Sequence, residues 1–143
     1  KVIAACGGSV EKMTIAILGL TFKPNTDDMR ESPSLDIIPA LQKAGASIRA
    51  YDPKGMEEAK KLFSGSVIAW CDDAYDAIAG ADALVIVTEW NEFRALDLKR
   101  VKAALAAPVR VDLRNIYDPA DMARAGFDYT CIGRPTVMRS DSP

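Results

Sequence analysis

The chain has 143 residues, 49% of them hydrophobic and 27% charged, which suits one globular domain with a real core and excludes a disordered segment. Its formal net charge of −2 lacks the basic excess of a nucleic-acid binder, and no apolar run approaches the ~20 residues of a membrane span. Histidine is absent and the three cysteines, Cys6, Cys71 and Cys131, are scattered without a CxxC, which excludes imidazole-based nucleophile and zinc chemistry and a disulfide framework, and points to reduced thiols in the cytoplasm.

Residues 1–13 precede the first regular pattern. Gly7-Gly8 reads as the end of a helix that begins upstream, so this stretch is expected to be a connection and the chain a fragment. Residues 14–20 (TIAILGL) have the short apolar run of a strand buried on both faces. A polar stretch, 21–31, follows. Ser32 suits an N-cap with Pro33 at the first helical position; Leu35, Ile38 and Leu41 keep helical spacing, and Gly45 suits the C-terminal cap. Pro39 deletes one helical hydrogen bond and predicts a kink.

The pattern repeats. Residues 47–51 predict a second strand, Asp52-Pro53 the start of a helix to about residue 63, and residues 67–70 a third strand. A short helix over 73–79 is closed by Gly80, and residues 83–87 (ALVIV) predict a central strand. After a connection at 88–94, a helix carries Leu98, Val101 and Leu105 on one face until Pro108 breaks it. A fifth strand at 109–112, a short helix over 119–125 and a sixth strand near 127–132 complete the domain, leaving 134–143 as a tail.

Strands alternating with helices imply an α/β, Rossmann-like, doubly wound parallel sheet of about six strands in a single domain over residues 14–133. Right-handed crossovers point to the order 3-2-1-4-5-6, with strands 1 and 4 adjoining where the chain reverses. Ligands of such sheets bind outside the carboxyl ends of the strands there, so the connections at 21–31, 88–94 and 113–118 are the ones to watch.

A dinucleotide-binding unit would place GxGxxG after strand 1. This chain has Gly19-Leu20-Thr21-Phe22-Lys23-Pro24 instead, so backbone cradling of a pyrophosphate is not expected. Side chains must then hold an anionic ligand, and Lys23, Arg30 and Arg114 are the long cations in the converging connections. Each has a plainer reading: Lys23 as a solvated lysine, Arg30 paired with Asp27, Asp28 or Glu31, and Arg114 packed on Asp112 or Asp118. Phe22 and Trp90 read either as core aromatics or as the rims of a ring-binding slot. Asp52 ends strand 2, where an NAD site keeps its ribose carboxylate, but Pro53 follows it and no glycine fingerprint precedes it, so capping is the expected role. Asp72-Asp73 and Thr88 weakly suggest a phospho-receiver, but strand 1 lacks the acidic pair and strand 5 the lysine that such a domain needs.

Residues 19–34, GLTFKPNTDDMRESPS, closely resemble the signature that opens the C-terminal domain of the UDP-glucose/GDP-mannose dehydrogenase family. The similarity continues through Ala50-Tyr51-Asp52-Pro53, residues 83–90 (ALVIVTEW) and residues 111–115 with Asp118, and the NTDDMRESPSL form resembles the UDP-glucose branch. The resemblance implies an intact, homo-oligomeric enzyme that oxidises the C6 alcohol of UDP-glucose to a carboxylate while reducing two NAD in succession. It also implies an N-terminal NAD domain and a middle region whose GGxCFxKD-type segment carries the catalytic cysteine. Cys6-Gly7-Gly8 reverses that order, so no catalytic residue is carried over and the chain alone is expected to be inactive. What the resemblance does carry over is Phe22 and Lys23 as contacts to the nucleotide sugar, Arg114 as a contact to its UDP portion, and Arg30 as a contact to NAD held mainly by the other domain. A GDP-mannose or UDP-N-acetylmannosamine dehydrogenase domain, and a stand-alone nucleotide-binding module without catalysis, remain the alternatives.

Overall fold

The computed structural model describes residues 10–21, 34–63, 67–88, 90–94, 96–105, 109–112, 120, 122 and 126–131. Its first strand, β1 (Thr14–Leu18), shows why the domain forms two layers of helix around one sheet. All four residues after Thr14 are fully buried, and they divide by the two-residue period of a strand. Ile15 and Ile17 face one apolar cluster, Ala16 and Leu18 the other. Full burial of each larger side chain contributes about 1.5–3 kcal/mol, so a strand wetted on neither side needs cover on both.

The first cover consists of α1 (Ser34–Lys43) and α2 (Met56–Leu62), which supply Ile38, Leu41 and Ala59 to the Ile15/Ile17 face. Val10, ahead of β1, is buried in the same cluster. On the opposite face lie α3 (Ala74–Ile78), the single turn α4 (Asn91–Arg94) and α5 (Leu98–Ala104), with Ala77, Ile78, Phe93 and Val101 inside. Asp73 caps α3 by accepting from the Asp76 amide at 2.7 Å, and Asp97 caps α5 by accepting from Lys99 and Arg100.

The sheet is parallel. β2 (Ser47–Tyr51) and β4 (Ala83–Ile86) flank β1, and β3 (Ile68–Trp70) lies outside β2, giving the β3-β2-β1-β4 arrangement of a doubly wound α/β domain. β5 (Val109–Asp112) and then β6 (Asp128–Cys131) continue the ladder beyond β4. The registers place Leu18 opposite both Tyr51 and Ile86, so the three central strands end level at their carboxyl edge.

Ser32 and Pro33, the expected cap and first helical position of α1, lie outside the described residues, and from Ser34 the helix runs through Pro39. Two elements depart from the sequence expectation. α2 begins at Met56 rather than at Asp52-Pro53, because the Asp52 carboxylate is committed elsewhere and Gly55 takes the N-cap position. α4 occupies part of the stretch read as a connection; four residues are too few to show a helical period. Of the short helix expected over 119–125, only Ala120 and Met122 are described; both are helical, and Met122 is buried.

Candidate functional site

Beyond the last rungs of β1, β2 and β4 the backbone leaves the ladder, and its polar groups need new partners. Gly19 still donates to the Tyr51 carbonyl at 2.9 Å, and Val87 to the Leu18 carbonyl at 2.9 Å. After that, side chains take over. Asp52, 1% exposed, stands at the end of β2 and accepts from six donors. Its Oδ2 receives the Leu20 amide at 2.7 Å and, at 3.2 Å each, the Thr21 amide, the Thr21 hydroxyl and the Trp90 indole N–H. Its Oδ1 receives the Gly55 amide at 2.7 Å and the Lys54 amide at 2.9 Å. A carboxylate has about four lone-pair sites, so the two 2.7 Å contacts are the short charge-assisted bonds and the longer ones on Oδ2 are shared.

Two hydroxyls complete the arrangement. Thr88, fully buried after β4, donates to the Thr21 carbonyl at 2.6 Å, and Ser34, opening α1, donates to the Leu20 carbonyl at 2.7 Å. Two glycines leave room for it. Gly19 has φ +91°, and a Cβ there would stand 2.5 Å from the Thr88 backbone nitrogen and Cβ; a Cβ on Gly55 would stand 2.5 Å from Thr21 Cγ2. Residues 19–21 are therefore gripped from three other segments, at Ser34, Tyr51-Asp52 and Thr88, at the point where β1 and β4 diverge.

Phe22, Lys23, Arg30 and Arg114 lie outside the described residues. Their chain neighbours are described. Thr21, which precedes Phe22, is the residue tied to Asp52 and Thr88. Asp112, two positions before Arg114, pairs with Ile86 at the end of β4. Trp90 resolves to the core reading: it is 6% exposed among Leu18, Ile86 and Phe93, with its indole N–H spent on Asp52. Asp52 does not cap α2 as expected: one oxygen holds the following turn and the other holds the chain after β1. Sequence reading did not connect Asp52 with Thr21 or Trp90, nor Ser34 with Leu20. The only signal was indirect: Asp52, Thr88 and Ser34 each sit at a strand or helix end.

Nearby, the Tyr51 phenol donates to Glu92 at 3.0 Å and is pushed up to about 12, first by burial and then by the hydrogen bond to, and charge of, Glu92. Cys71 is buried, and desolvation raises its thiol above the ordinary range. Among the described residues no three His, Cys, Asp or Glu side chains are grouped to hold a metal ion. A cavity of about 540 Å³ opens at the opposite, amino edge of the sheet beside Thr14, Gln42, Ser47 and Arg49. Of its polar side chains, Arg49 is engaged with the Asp76 and Ala77 carbonyls and Gln42 with that of Val67.

The described residues at this edge lack two features of a Rossmann dinucleotide site. The glycine fingerprint is missing, and the carboxylate that would take a ribose has both oxygens filled by its own chain.

The family model for the UDP-glucose/GDP-mannose dehydrogenase family, UDP binding domain, matches residues 16–119. The UDP-glucose 6-dehydrogenase of Rhizobium meliloti (strain 1021) is 58% identical over 135 residues, which is 94% of this chain and 30% of that protein. UDP-glucose 6-dehydrogenase TuaD of Bacillus subtilis (strain 168) is 45% identical over 134 residues, 94% of this chain and 29% of that one. Among solved structures, a UDP-D-ManNAc dehydrogenase from Pyrococcus horikoshii superposes with a TM-score of 0.73 at 28% identity, over 92% of this chain and 28% of the other. The chain thus spans under a third of the length of these relatives.

Proposed function

Because the chain belongs to the UDP-glucose/GDP-mannose dehydrogenase family and carries its UDP binding domain, we propose that it binds the UDP half of UDP-glucose within an NAD-dependent UDP-glucose 6-dehydrogenase. The observation that carries this reading is the 58% identity over 135 residues to a UDP-glucose 6-dehydrogenase. The anchored backbone at the switch point supports it, because the segment bearing Phe22 and Lys23 starts from that anchor.

In this proposal Lys23 and Arg114 hold the diphosphate through charge-assisted hydrogen bonds, and Phe22 lies against the nucleotide sugar. Arg30 reaches toward NAD, which is held mainly by another domain of the enzyme. Residues 14–133 are the UDP-binding unit, joined through 1–13 to the rest of a cytoplasmic, homo-oligomeric enzyme and followed by a tail at 134–143. Among the described residues no helix is long and apolar enough to cross a membrane. Anchoring the UDP end orients the C6 alcohol toward groups elsewhere in the enzyme, where reduction of two NAD in succession, with one water taken up and three protons released, takes it to a carboxylate.

The test is Arg114→Ala in the dehydrogenase that contains this chain. The KM for UDP-glucose is expected to rise about tenfold or more while that for NAD changes by less than about twofold, since a lost charged hydrogen bond costs about 1.5–3 kcal/mol. Unchanged substrate kinetics overturn the assignment. A panel including GDP-mannose and a UDP-N-acetylhexosamine decides the sugar.

A further inference from the structure

We propose that Asp52 is a positioning residue for nucleotide binding: its carboxylate sets the backbone from which segment 22–33 departs and locks it to the chain after β4. The ligand's identity rests on the UDP-binding reading above; the geometry does not.

The contacts argue against a purely local role. α2 starts at Met56 with Gly55 as its N-cap and no side-chain cap hydrogen bond, so Asp52 is not that helix's cap. Its Oδ2 instead collects donors from Leu20, Thr21 and Trp90, 31 to 38 positions away in sequence. Burying a carboxylate costs several kcal/mol in desolvation, and well-packed apolar residues often stabilise a core as well as buried charge does. What an apolar side chain cannot supply is direction. One carboxylate here orients two consecutive amides after β1, two after β2 and an indole after β4, with the angular tolerance of a hydrogen bond.

The result is an anchor with two sides. Leu20, just before segment 22–33, is tied by its amide to Asp52 and by its carbonyl to Ser34, the first residue after that segment. Thr21 is tied by its amide and hydroxyl to Asp52 and by its carbonyl to Thr88. Leu20, Thr21 and Ser34, on either side of positions 22–33, are thus held before any ligand arrives, and pre-organised supports lower the cost of binding. A displacement of about 1 Å in such supports can cost on the order of a hundredfold in function without any lost ligand contact.

The experiment is a titration of the 143-residue chain with UDP, followed by NMR, alongside amide hydrogen exchange without ligand. Asp52→Asn keeps the shape but turns one oxygen into a donor facing other donors. It is expected to weaken UDP binding about tenfold and to speed exchange at the Leu20 and Thr21 amides. Trp90→Phe, which keeps a ring and deletes the indole donor, is expected to show a smaller shift in the same direction, and it carries the test if Asp52→Asn fails to fold. Asp97→Ala removes a helix cap elsewhere and controls for general destabilisation; it should leave UDP affinity unchanged. Equal weakening by Asp97→Ala overturns the proposal, as does unchanged exchange at Leu20 and Thr21 in Asp52→Asn. Failure of the unsubstituted chain to bind UDP overturns the functional reading instead, and the exchange data then decide the positioning role alone.

Discussion

The Thr88 hydroxyl donates to the Thr21 carbonyl at 2.6 Å, joining the chain past β4 to the chain past β1 across 67 positions of sequence. Parallel neighbours diverge once their ladder ends, and this bond holds the divergence to a fixed separation. Thr88→Val preserves shape and removes the donor, so it is expected to lower unfolding stability by about 1–3 kcal/mol, read from the denaturant midpoint. Thr88→Ser, which keeps the hydroxyl, should lose less; equal losses would show that the methyl group, not the bond, matters.

Gly19 and Gly80 both have positive φ, +91° and +74°, but only Gly19 faces a wall. An alanine Cβ at Gly80 meets nothing within 4 Å, whereas at Gly19 it meets backbone and side chain of Thr88 at 2.5 Å. Gly80→Ala should therefore cost only the left-handed backbone penalty of about 1–2 kcal/mol. Gly19→Ala should cost clearly more, because a β-carbon and a backbone nitrogen cannot move aside as a flexible side chain would. Thermal unfolding of the two variants checks the order.

Tyr51 links stability to alkaline pH. Its folded phenol is pushed from the ordinary 10.0 up to about 12, so the folded chain keeps a proton that the unfolded chain releases. The contribution is full below pH 10, fades as pH rises toward 12 and is gone above it. Denaturation against pH should show a shallower alkaline fall for Tyr51→Phe. Glu92→Gln should lower the phenol part of the way, since burial, the larger cause, remains.

Cys71 should be slow to alkylate in the native state at neutral pH. Desolvation raises its thiol, only partly offset by the charge of Arg49, and the side chain is buried. Peptide-resolved mass spectrometry after iodoacetamide treatment should show Cys71 modified mainly once denaturant is added. Rapid native labelling would contradict the burial.

How much of this was legible beforehand depended on whether the signal was local. The β1 run, the short helix ahead of Gly80 and the Ile38/Leu41 spacing each follow from neighbouring residues, and the observed elements match them closely. The helix expected at Asp52-Pro53 starts later because the cap-like residue is recruited by Leu20 and Thr21, about thirty positions earlier in the chain. Trp90, left open between core and rim, is decided by burial and by its bond to the same carboxylate.

The amino-acid sequence alone determined the alternation of strand and helix, and with it the α/β class, because those follow from periodicity, capping and the handedness of crossovers. Only the tertiary structure decided that Asp52, Thr88 and Ser34 converge on residues 19–21. Hydrogen bonds between groups brought together by parallel strand pairing leave no spacing in the sequence from which they could be read.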